Sequence, residues 1–397
     1  MTRTSPMLIN QTGNMGGVMN EVFDLFDGPA IDTFFPPDTL LELVSFLPHS
    51  EAQRILGTPL SKMYLTSYVL NENLWKARCI EQWKVPVEPS PFGWRSLHAD
   101  LVRSLTLIGG QGQDFDSDFR NVMVVLDVLD SYRTLAEIVR IGFDRLGRLM
   151  DGDDGRRAAE VADVRMMEHA LWAMTSYPDD VDLQLKVLRF LVLAGRPMGS
   201  AEGMVLNRPL SNAGALRVFG PMGEGVAAVL ACMERHGSHA PIQAMACWSM
   251  VNLALVTEQK RQLIRQGGIL SIIQAMARHP GDREVHFRAI FSLINLVTPD
   301  VMSENSIPAD TVKSVVAIVI SAIEAFSNIA AIVNRGCLVL HNIALNPGHL
   351  NALVAMGAPQ ELLHAIGKHP SDRLLRQCAT GTLQRLFMSG ALDHNLN

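Results

Sequence analysis

The chain has 397 residues, of which 48% are hydrophobic and 19% are charged, and its formal net charge is −6. A chain of this length exceeds one ordinary core, so we expect two or more units or one elongated array. The hydrophobic fraction excludes a wholly disordered chain. The acidic balance argues against a general nucleic-acid surface, which needs a basic excess.

Cysteine usage and hydropathy indicate where such a chain works. Its five cysteines are scattered and form no Cys-x-x-Cys pair, which favours a reduced intracellular compartment, the cytoplasm or the nucleus. Residues 1–33 are polar and rich in Gly and Asn, so we expect a flexible segment and no signal peptide. No run of 18 apolar residues occurs, so no membrane span is predicted.

Residues 34–84 have the pattern of three or four short helices. Thr39 and Glu42 have capping-box spacing, in which hydroxyl and carboxylate satisfy free backbone donors at a helix start. Pro48 ends this first helix, since proline lacks the backbone donor that a helix needs. The apolar stripe of the helix consists of Leu40, Leu43, Val44 and Leu47.

This segment resembles an F-box. The family pattern opens with Leu-Pro and an acid, continues as an amphipathic helix ending in Leu-Pro, and closes with Leu-Trp. Here Phe35-Pro36-Pro37-Asp38 opens the stretch, Leu47-Pro48 ends the helix, and Leu74-Trp75 follows, with Trp83 beyond it. The chain departs from the family in the middle, where Leu60-Ser61-Lys62-Met63-Tyr64 replaces Val-Cys-Lys-x-Trp.

The resemblance implies docking on a Skp-type adaptor, which is held in turn by a cullin with a RING subunit. It also implies that Trp75 supports the module from within. A second interpretation stays open, in which residues 36–84 only cap the end of a helical array. The residues that the resemblance assigns to the adaptor contact are Pro36, Asp38, Leu40, Leu43, Phe46, Leu47 and Pro48.

Behind a connecting segment at residues 85–118, the chain becomes periodic. The stretch from Ala277 to Arg283 matches the stretch from Gly367 to Arg373 two periods later. Periods in the low forties are typical of a helical solenoid. We therefore expect about six repeats over residues 119–390, with a loop insertion at about 195–225 and a tail at 391–397.

Each repeat is predicted to contain a short first helix that ends at glycine, a second helix, and a long third helix. The stretch from Ala246 to Ala254 resembles the third helix of armadillo repeats, as does the turn Gln266-Gly267-Gly268-Ile269. The last three or four repeats carry this pattern, whereas the first two are degenerate and also fit HEAT-like repeats. The predicted fold is all-α: a short F-box followed by an armadillo/HEAT-like α-solenoid.

The armadillo resemblance also implies a binding groove. Third helices of such solenoids line a groove, and some members hold extended peptides there through successive Asn residues and a preceding Trp. Arginines beside the groove would favour acidic cargo. In a second interpretation the asparagines bond backbone within the solenoid and the arginines form a solvated face. The predicted groove residues are Trp248, Asn252, Arg288, Asn295, Arg335, Asn342 and Gln384.

Sequence motifs for catalysis or cofactor binding are absent: there is no phosphate-binding loop, Gly-x-Ser-x-Gly elbow or His-Glu-x-x-His. A zinc site made of Cys232, His236, His239 and Cys247 would need these residues to converge. The repeat alignment gives another account, because His236, His279 and His369 share one position at the end of a second helix. There the helix dipole favours an imidazole. We therefore predict no enzyme and no cofactor.

Together, the two resemblances imply a substrate receptor of an SCF-type (Skp–cullin–F-box) ubiquitin ligase. Such a receptor performs no bond chemistry; it holds protein cargo beside a charged ubiquitin-conjugating enzyme and raises the effective concentration of its lysines. The alternative is a non-catalytic armadillo scaffold whose F-box-like segment only caps the solenoid. Neither nucleic acid nor membrane is expected as a partner.

Overall fold

The fold is described from a computed structural model, which covers residues 72–83, 85, 93–109, 118–151, 153–196, 216–303 and 307–391. Most of the predicted F-box module, residues 34–71, lies outside the described residues. The chain divides into two compact units, Met1–Arg103 and Ser104–Asn397. The described residues form helices and turns and contain no strand.

Among the described residues before position 118, two helices occur: α1 (Glu72–Trp83) and α2 (Trp94–Gly109). Trp75 and Trp83 on α1 are buried, and both rings contact the imidazole of His98 on α2, with centroid distances of 4.8 and 5.0 Å. The predicted role of Trp75 as an internal support agrees with this burial. Helix α2 lies within the segment that was predicted only as a connection.

Six consecutive repeats are seen in the described part of the C-terminal unit from residue 118 onward. Repeats 1 to 3 contain α3 (Asp118–Tyr132) and α4 (Ala136–Leu149), α5 (Asp153–Ser176) and α6 (Val181–Ala194), and α7 (Glu224–Arg235) and α8 (Ala240–Leu253). Repeat 4 contains α9 (Thr257–Arg265), α10 (Gly268–Arg278) and α11 (Arg283–Leu296). Repeat 5 contains α12 (Pro299–Ser303), α13 (Ala309–Ala325) and α14 (Ala330–Ile343). Repeat 6 contains a 3₁₀ turn (Pro347–His349), α15 (Leu350–Ala355), α16 (Ala358–Lys368) and α17 (Arg373–Met388).

These helices stack in two rows. The third helices α4, α6, α8, α11, α14 and α17 each pack against the next, and the second helices α3, α5, α7, α10, α13 and α16 form the other row. Apolar side chains fill the space between the rows, because no single repeat can bury its own apolar face. The arrangement confirms the predicted α-solenoid of six repeats.

Local signals set the helix boundaries. The Asp180, Asp282 and Asp372 side chains accept a hydrogen bond from a backbone N–H in the first turn of α6, α11 and α17, which satisfies a donor without an intrahelical partner. Gly267 and Gly357 join a first helix to a second with φ of 85° and 83°. Glycine adopts this left-handed conformation without a Cβ clash, so both helix ends are confirmed.

The histidines at the ends of second helices join neighbouring repeats. Nε2 of His236, His279 and His369 lies 2.8 to 2.9 Å from a backbone carbonyl in the turn of an adjacent repeat. A carbonyl only accepts, so Nε2 carries the proton and donates. Tyr177 does the same in repeat 2 through its hydroxyl, 3.0 Å from the Arg133 carbonyl. The alignment predicted this shared position, and the structure adds the contact between repeats.

The predicted insertion interrupts the solenoid between repeats 2 and 3. Helix α6 ends at Ala194 with Gly195 as its C-cap, and α7 begins at Glu224, close to the predicted limits. Residues 197–215 lie outside the described part of the chain. At its far end, the buried Gln259 amide donates to the Leu216 and Phe219 carbonyls, which ties the insertion to the first helix of repeat 4.

Candidate functional site: a groove along the third helices

The row of third helices presents the same positions to the surface in repeats 2 to 5. Counting from the N-cap, the sixth and ninth residues in repeats 2 to 5 are half-buried or exposed, whereas the seventh is buried. We call the surface that they form the third-helix groove. Its residues are Lys186, Arg189, Met245, Trp248, Arg288, Phe291, Arg335 and Leu338.

Three neighbouring cavities open along repeats 1 to 4, with volumes of about 630, 300 and 270 Å³. The first two share Asp144 and Lys186, and the second and third share Leu185 and Met245. Because each cavity shares lining residues with the next, they form one continuous depression. A depression of this length suits an extended segment better than a compact small molecule.

The third cavity, which we call the Trp248 cavity, combines an apolar floor with a charged rim. Leu185, Met245 and Trp248 contribute its apolar surface, and Glu284 and Arg288 lie at its edge. The Arg288 guanidinium carbon lies 3.4 Å from the centroid of the Trp248 ring, a cation–π contact. Arg288 Nε also donates to Glu284 Oε1 at 2.7 Å. Arg288 is therefore fixed from both sides.

Arg335 continues this surface on the next third helix. Its guanidinium carbon lies 4.4 Å from the Phe287 ring centroid and 5.1 Å from that of Phe291. Burial, and to a smaller extent the charge of Arg288, lower the pKa of Arg335 from its usual value. Two guanidinium groups and three aromatic rings thus form a single cation–aromatic cluster, which brings together the predicted groove residues Trp248, Arg288 and Arg335.

The predicted asparagines have a different environment. Asn252 is only 6% exposed, and its Nδ2 donates to the Val192 carbonyl of the preceding third helix at 2.8 Å. Nδ2 of Asn295 donates in the same way to the Val251 carbonyl at 3.2 Å. These contacts match the alternative interpretation, in which the asparagines bond backbone within the solenoid. Asn342 is half-buried, and within the described residues its amide makes no hydrogen bond.

Gln384 does not continue the asparagine row. Asn295 lies thirteen residues after its N-cap Asp282, and the residue thirteen after the N-cap Asp372 is Arg385. The predicted alignment of the last repeat was one residue short at this position. Gln384 is exposed, and Arg385 Nη1 donates to the Gly381 carbonyl at 3.0 Å.

Ion pairs over repeats 1 and 2 were not singled out in the sequence, although spacings of three and four residues signal them. Arg140 pairs with Glu137 and, at 2.9 Å, with Asp180 of the next repeat. Burial alone would lower the pKa of Arg140, but Asp180 and Glu137 raise it overall. Lys186 pairs with Asp182 at 2.6 Å. At this end of the depression, these bases already have acidic partners.

The remaining predicted residues fall into two groups. All seven adaptor-contact residues, Pro36, Asp38, Leu40, Leu43, Phe46, Leu47 and Pro48, lie outside the described part of the chain. Cys232 and Cys247 are buried in helices, and this burial raises the pKa of both thiols to about 12. Among the described residues, no three His, Cys, Asp or Glu side chains are grouped as metal ligands would be. Nor is any described helix both long and apolar enough to cross a bilayer.

One protein-family model matches the C-terminal part of the chain. A family model described as "LRRK2 ARM repeat" matches residues 223–397, from the N-cap of α7 through repeat 6. Repeats 3 to 6 are armadillo-like. These are the repeats in which the pattern was clearest in the sequence, and the F-box-like segment lies outside the match. The structural finding on the solenoid and the family match therefore agree over the C-terminal part of the chain.

Two further comparisons concern solved structures and curated proteins. A crystal structure of an engineered protein from the Northeast Structural Genomics Consortium is similar at 17% identity and a TM-score of 0.48. That match covers 67% of this chain and 98% of the engineered one. No curated protein matches the chain.

Proposed function

We propose that this chain is a non-catalytic adaptor whose third-helix groove holds an extended segment of a protein cargo. The observation that carries the proposal is the continuous depression along the third helices, which ends in the cation–aromatic cluster around Trp248 and Arg288. Rigid helices position these side chains, so a partner could bind without reorganising the array. The armadillo-like character of repeats 3 to 6 supports the same function, since such arrays are protein-interaction scaffolds.

We further propose that residues 34–84 connect the cargo to an SCF-type ubiquitin ligase through a Skp-type adaptor. The support is the F-box-like order of Pro36, Asp38, the Leu47-Pro48 ending and Leu74-Trp75. The buried positions of Trp75 and Trp83 fit a module with an internal core at its C-terminal end. The mechanism would be proximity, because tethering raises the effective concentration of cargo lysines near the conjugating enzyme.

The adaptor half is tested with a purified Skp-type adaptor. Wild-type chain should be retained by the immobilised adaptor, and the double variant Leu40→Asp with Leu43→Asp should be lost, because two charges would stand on the predicted apolar stripe. Circular dichroism checks that the variant remains helical. If wild type is not retained, or the folded variant is retained equally well, the ligase proposal fails and the plain scaffold remains.

The cargo half is tested by deletion and rescue. Proteins that accumulate when the chain is deleted should return to normal with wild type, but not with Trp248→Ala or Met245→Lys. Leu270→Ala is the matched control, because this exposed leucine lies on α10, in the row of second helices. Rescue by both groove variants would contradict the groove. Cargo that needs Trp248 but not Leu40 and Leu43 would indicate a scaffold without a ligase role.

A further inference from the structure

Three of the third helices carry a basic residue six positions after the N-cap, and in one of the three the acidic partner found in the other two is absent. Lys186 and Arg288 both stand six residues after an N-cap, and each pairs with an acid four residues earlier. These acids are Asp182 and Glu284, at 2.6 and 2.7 Å. Arg335 stands at the same position of repeat 5, but the residue four positions earlier is Ala331. The acidic partner that the register provides elsewhere is missing here.

The surroundings of Arg335 do not replace this acid. Nη1 donates to the Ala331 carbonyl at 3.1 Å, while the Phe287 and Phe291 rings contact the guanidinium. Within the described residues, no carboxylate lies within 4.0 Å of the group, and Nε and Nη2 make no hydrogen bond and are not enclosed. Arg335 therefore offers two donors and an uncompensated charge to the groove.

We propose that Arg335 is an anion-binding residue of the third-helix groove and pairs with an acidic side chain of an extended partner segment whose apolar residue fills the Trp248 cavity. This inference rests on the proposed cargo function of the groove. Charge complementarity selects the partner, because a held, partly desolvated guanidinium without a counter-ion favours an anion over a neutral or basic group. A carboxylate and a phosphoryl group both satisfy this chemistry.

The geometry also fixes the spacing within the partner. The Trp248 cavity is centred on α8 and Arg335 lies on α14, two helices further along the row. Packed helices lie about 8–10 Å apart, and an extended chain advances about 3.3 Å per residue. Because the Arg335 guanidinium lies over the Phe287 and Phe291 rings of α11, nearer to the cavity than the axis of α14, an apolar residue in the cavity and the acid at Arg335 should be separated by about three to six residues.

The test selects random-sequence peptides on the full-length wild-type chain and measures the affinity of the best peptides by fluorescence anisotropy. Selected peptides should carry Asp or Glu at about three to six residues from an apolar residue. Replacing that acid by Ala, or Arg335 by Gln, should weaken binding at least about tenfold. Versions of the peptide with Ser, phosphoserine or Glu at this position distinguish a phosphoryl from a carboxylate source.

A variant pair at position 331 isolates the charge. Ala331→Glu would give Arg335 the carboxylate that Lys186 and Arg288 already have, so it should weaken peptide binding about tenfold. It should not disturb folding, since an acid in the first turn of a helix is favourable. Ala331→Gln is the matched neutral control and should keep wild-type affinity within about twofold.

Two outcomes would overturn the inference: equal affinities for Ala331→Glu and Ala331→Gln, or unchanged binding after Arg335→Gln. Failure of the inference is distinguishable from failure of the groove itself. If peptide binding depends on Trp248 but not on Arg335, the groove proposal is supported and only the anion site at Arg335 is contradicted. If the selected peptides bind equally well to Trp248→Ala, the proposed cargo groove is wrong, and so is the Arg335 inference that rests on it.

Discussion

At the scale of single residues, one buried position shows how the same task is solved with different side chains. Gln184 and Gln243 each donate from Nε2 to two carbonyls at the end of the preceding second helix, at 2.8 to 3.1 Å. His286 holds this position in repeat 4 and is buried. The Met276 and His279 carbonyls lie near its ring, but neither ring nitrogen reaches hydrogen-bonding geometry. The polar side chain at this position therefore makes fewer hydrogen bonds in repeat 4 than in repeats 2 and 3.

This difference predicts a pH effect. Burial lowers the pKa of His286 below its ordinary value of about 6.5, so the folded protein binds fewer protons than the unfolded chain in mildly acidic solution. The free energy of unfolding should therefore fall as the pH decreases from about 7 through this range. His286→Gln removes this contribution and can add two hydrogen bonds, each worth about 1 kcal/mol.

Urea unfolding at about pH 7.5 and about pH 5.5 measures the effect. The loss of stability between the two pH values should be smaller for His286→Gln than for wild type. His364→Gln is the control, because His364 is exposed on α16. An equal loss in wild type and His286→Gln would contradict the assignment.

Two glycines offer a matched pair for the left-handed turn. A Cβ built on Gly267 or on Gly281 meets no atom within 4 Å, so neither substitution creates a clash. Only Gly267 has positive φ, at 85°. Gly267→Ala should therefore cost about 1–2 kcal/mol, whereas Gly281→Ala should be neutral or slightly stabilising. Thermal unfolding of both variants tests this, and equal melting temperatures would disprove the backbone explanation.

At the scale of secondary-structure elements, the ends of the second helices bind adjacent repeats together. Tyr177 and three histidines use one side-chain donor each to reach a backbone carbonyl in the neighbouring turn. In repeat 5, Phe326 stands at this position and packs instead on His286, with ring centroids 4.9 Å apart. The shared feature is therefore a contact between repeats, which a ring at this position provides with or without a hydrogen bond.

His279 gives the clearest test of this contact, since its Nε2 lies 2.9 Å from the Gly237 carbonyl. His279→Ala should lower the free energy of unfolding by about 1 kcal/mol for the lost hydrogen bond, with a further loss from packing. His279→Tyr should recover much of this stability, because Tyr177 makes the same contact in repeat 2. Chemical denaturation provides the comparison, and a tyrosine variant as unstable as the alanine variant would argue against a common joint.

At the scale of the whole molecule, the C-terminal unit is held together by contacts between neighbouring repeats. Each third helix packs on the one before and the one after, so the helices of repeat 6 have a neighbouring repeat described on one side only. Stability in such an array is close to a sum of repeat and interface contributions. The effect of a core substitution should therefore depend on which repeat it is in.

Leu296 and Leu386 occupy the same register position in α11 and α17, and both are fully buried. Replacement of either by Ala removes about 2–5 kcal/mol of local stability. Leu296→Ala should speed amide hydrogen exchange from α10 to α14, because it weakens two interfaces. Leu386→Ala should speed exchange only in α16 and α17. Equal spreading of the two effects would show that the array unfolds as one cooperative unit.

The sequence by itself was sufficient to predict the repeat architecture. Helix limits follow from local features that act over a few residues: N-cap aspartates begin three of the third helices, and left-handed glycines separate the first helix from the second in repeats 4 and 6. The armadillo character of repeats 3 to 6 was also visible in short stretches such as the one from Ala246 to Ala254. The F-box resemblance stays a prediction, because most of residues 34–84 lie outside the described chain.

Only the tertiary structure decided which groove residues have partners. The same register placed Asn252 and Arg335 on the third helices, yet Asn252 is buried against a neighbouring carbonyl, whereas Arg335 lies on two aromatic rings and has no acidic partner in the described part of the chain. Helix periodicity fixes the face on which a side chain stands. What that side chain meets depends on the next repeat, whose side chains are distant in sequence and adjacent only after packing.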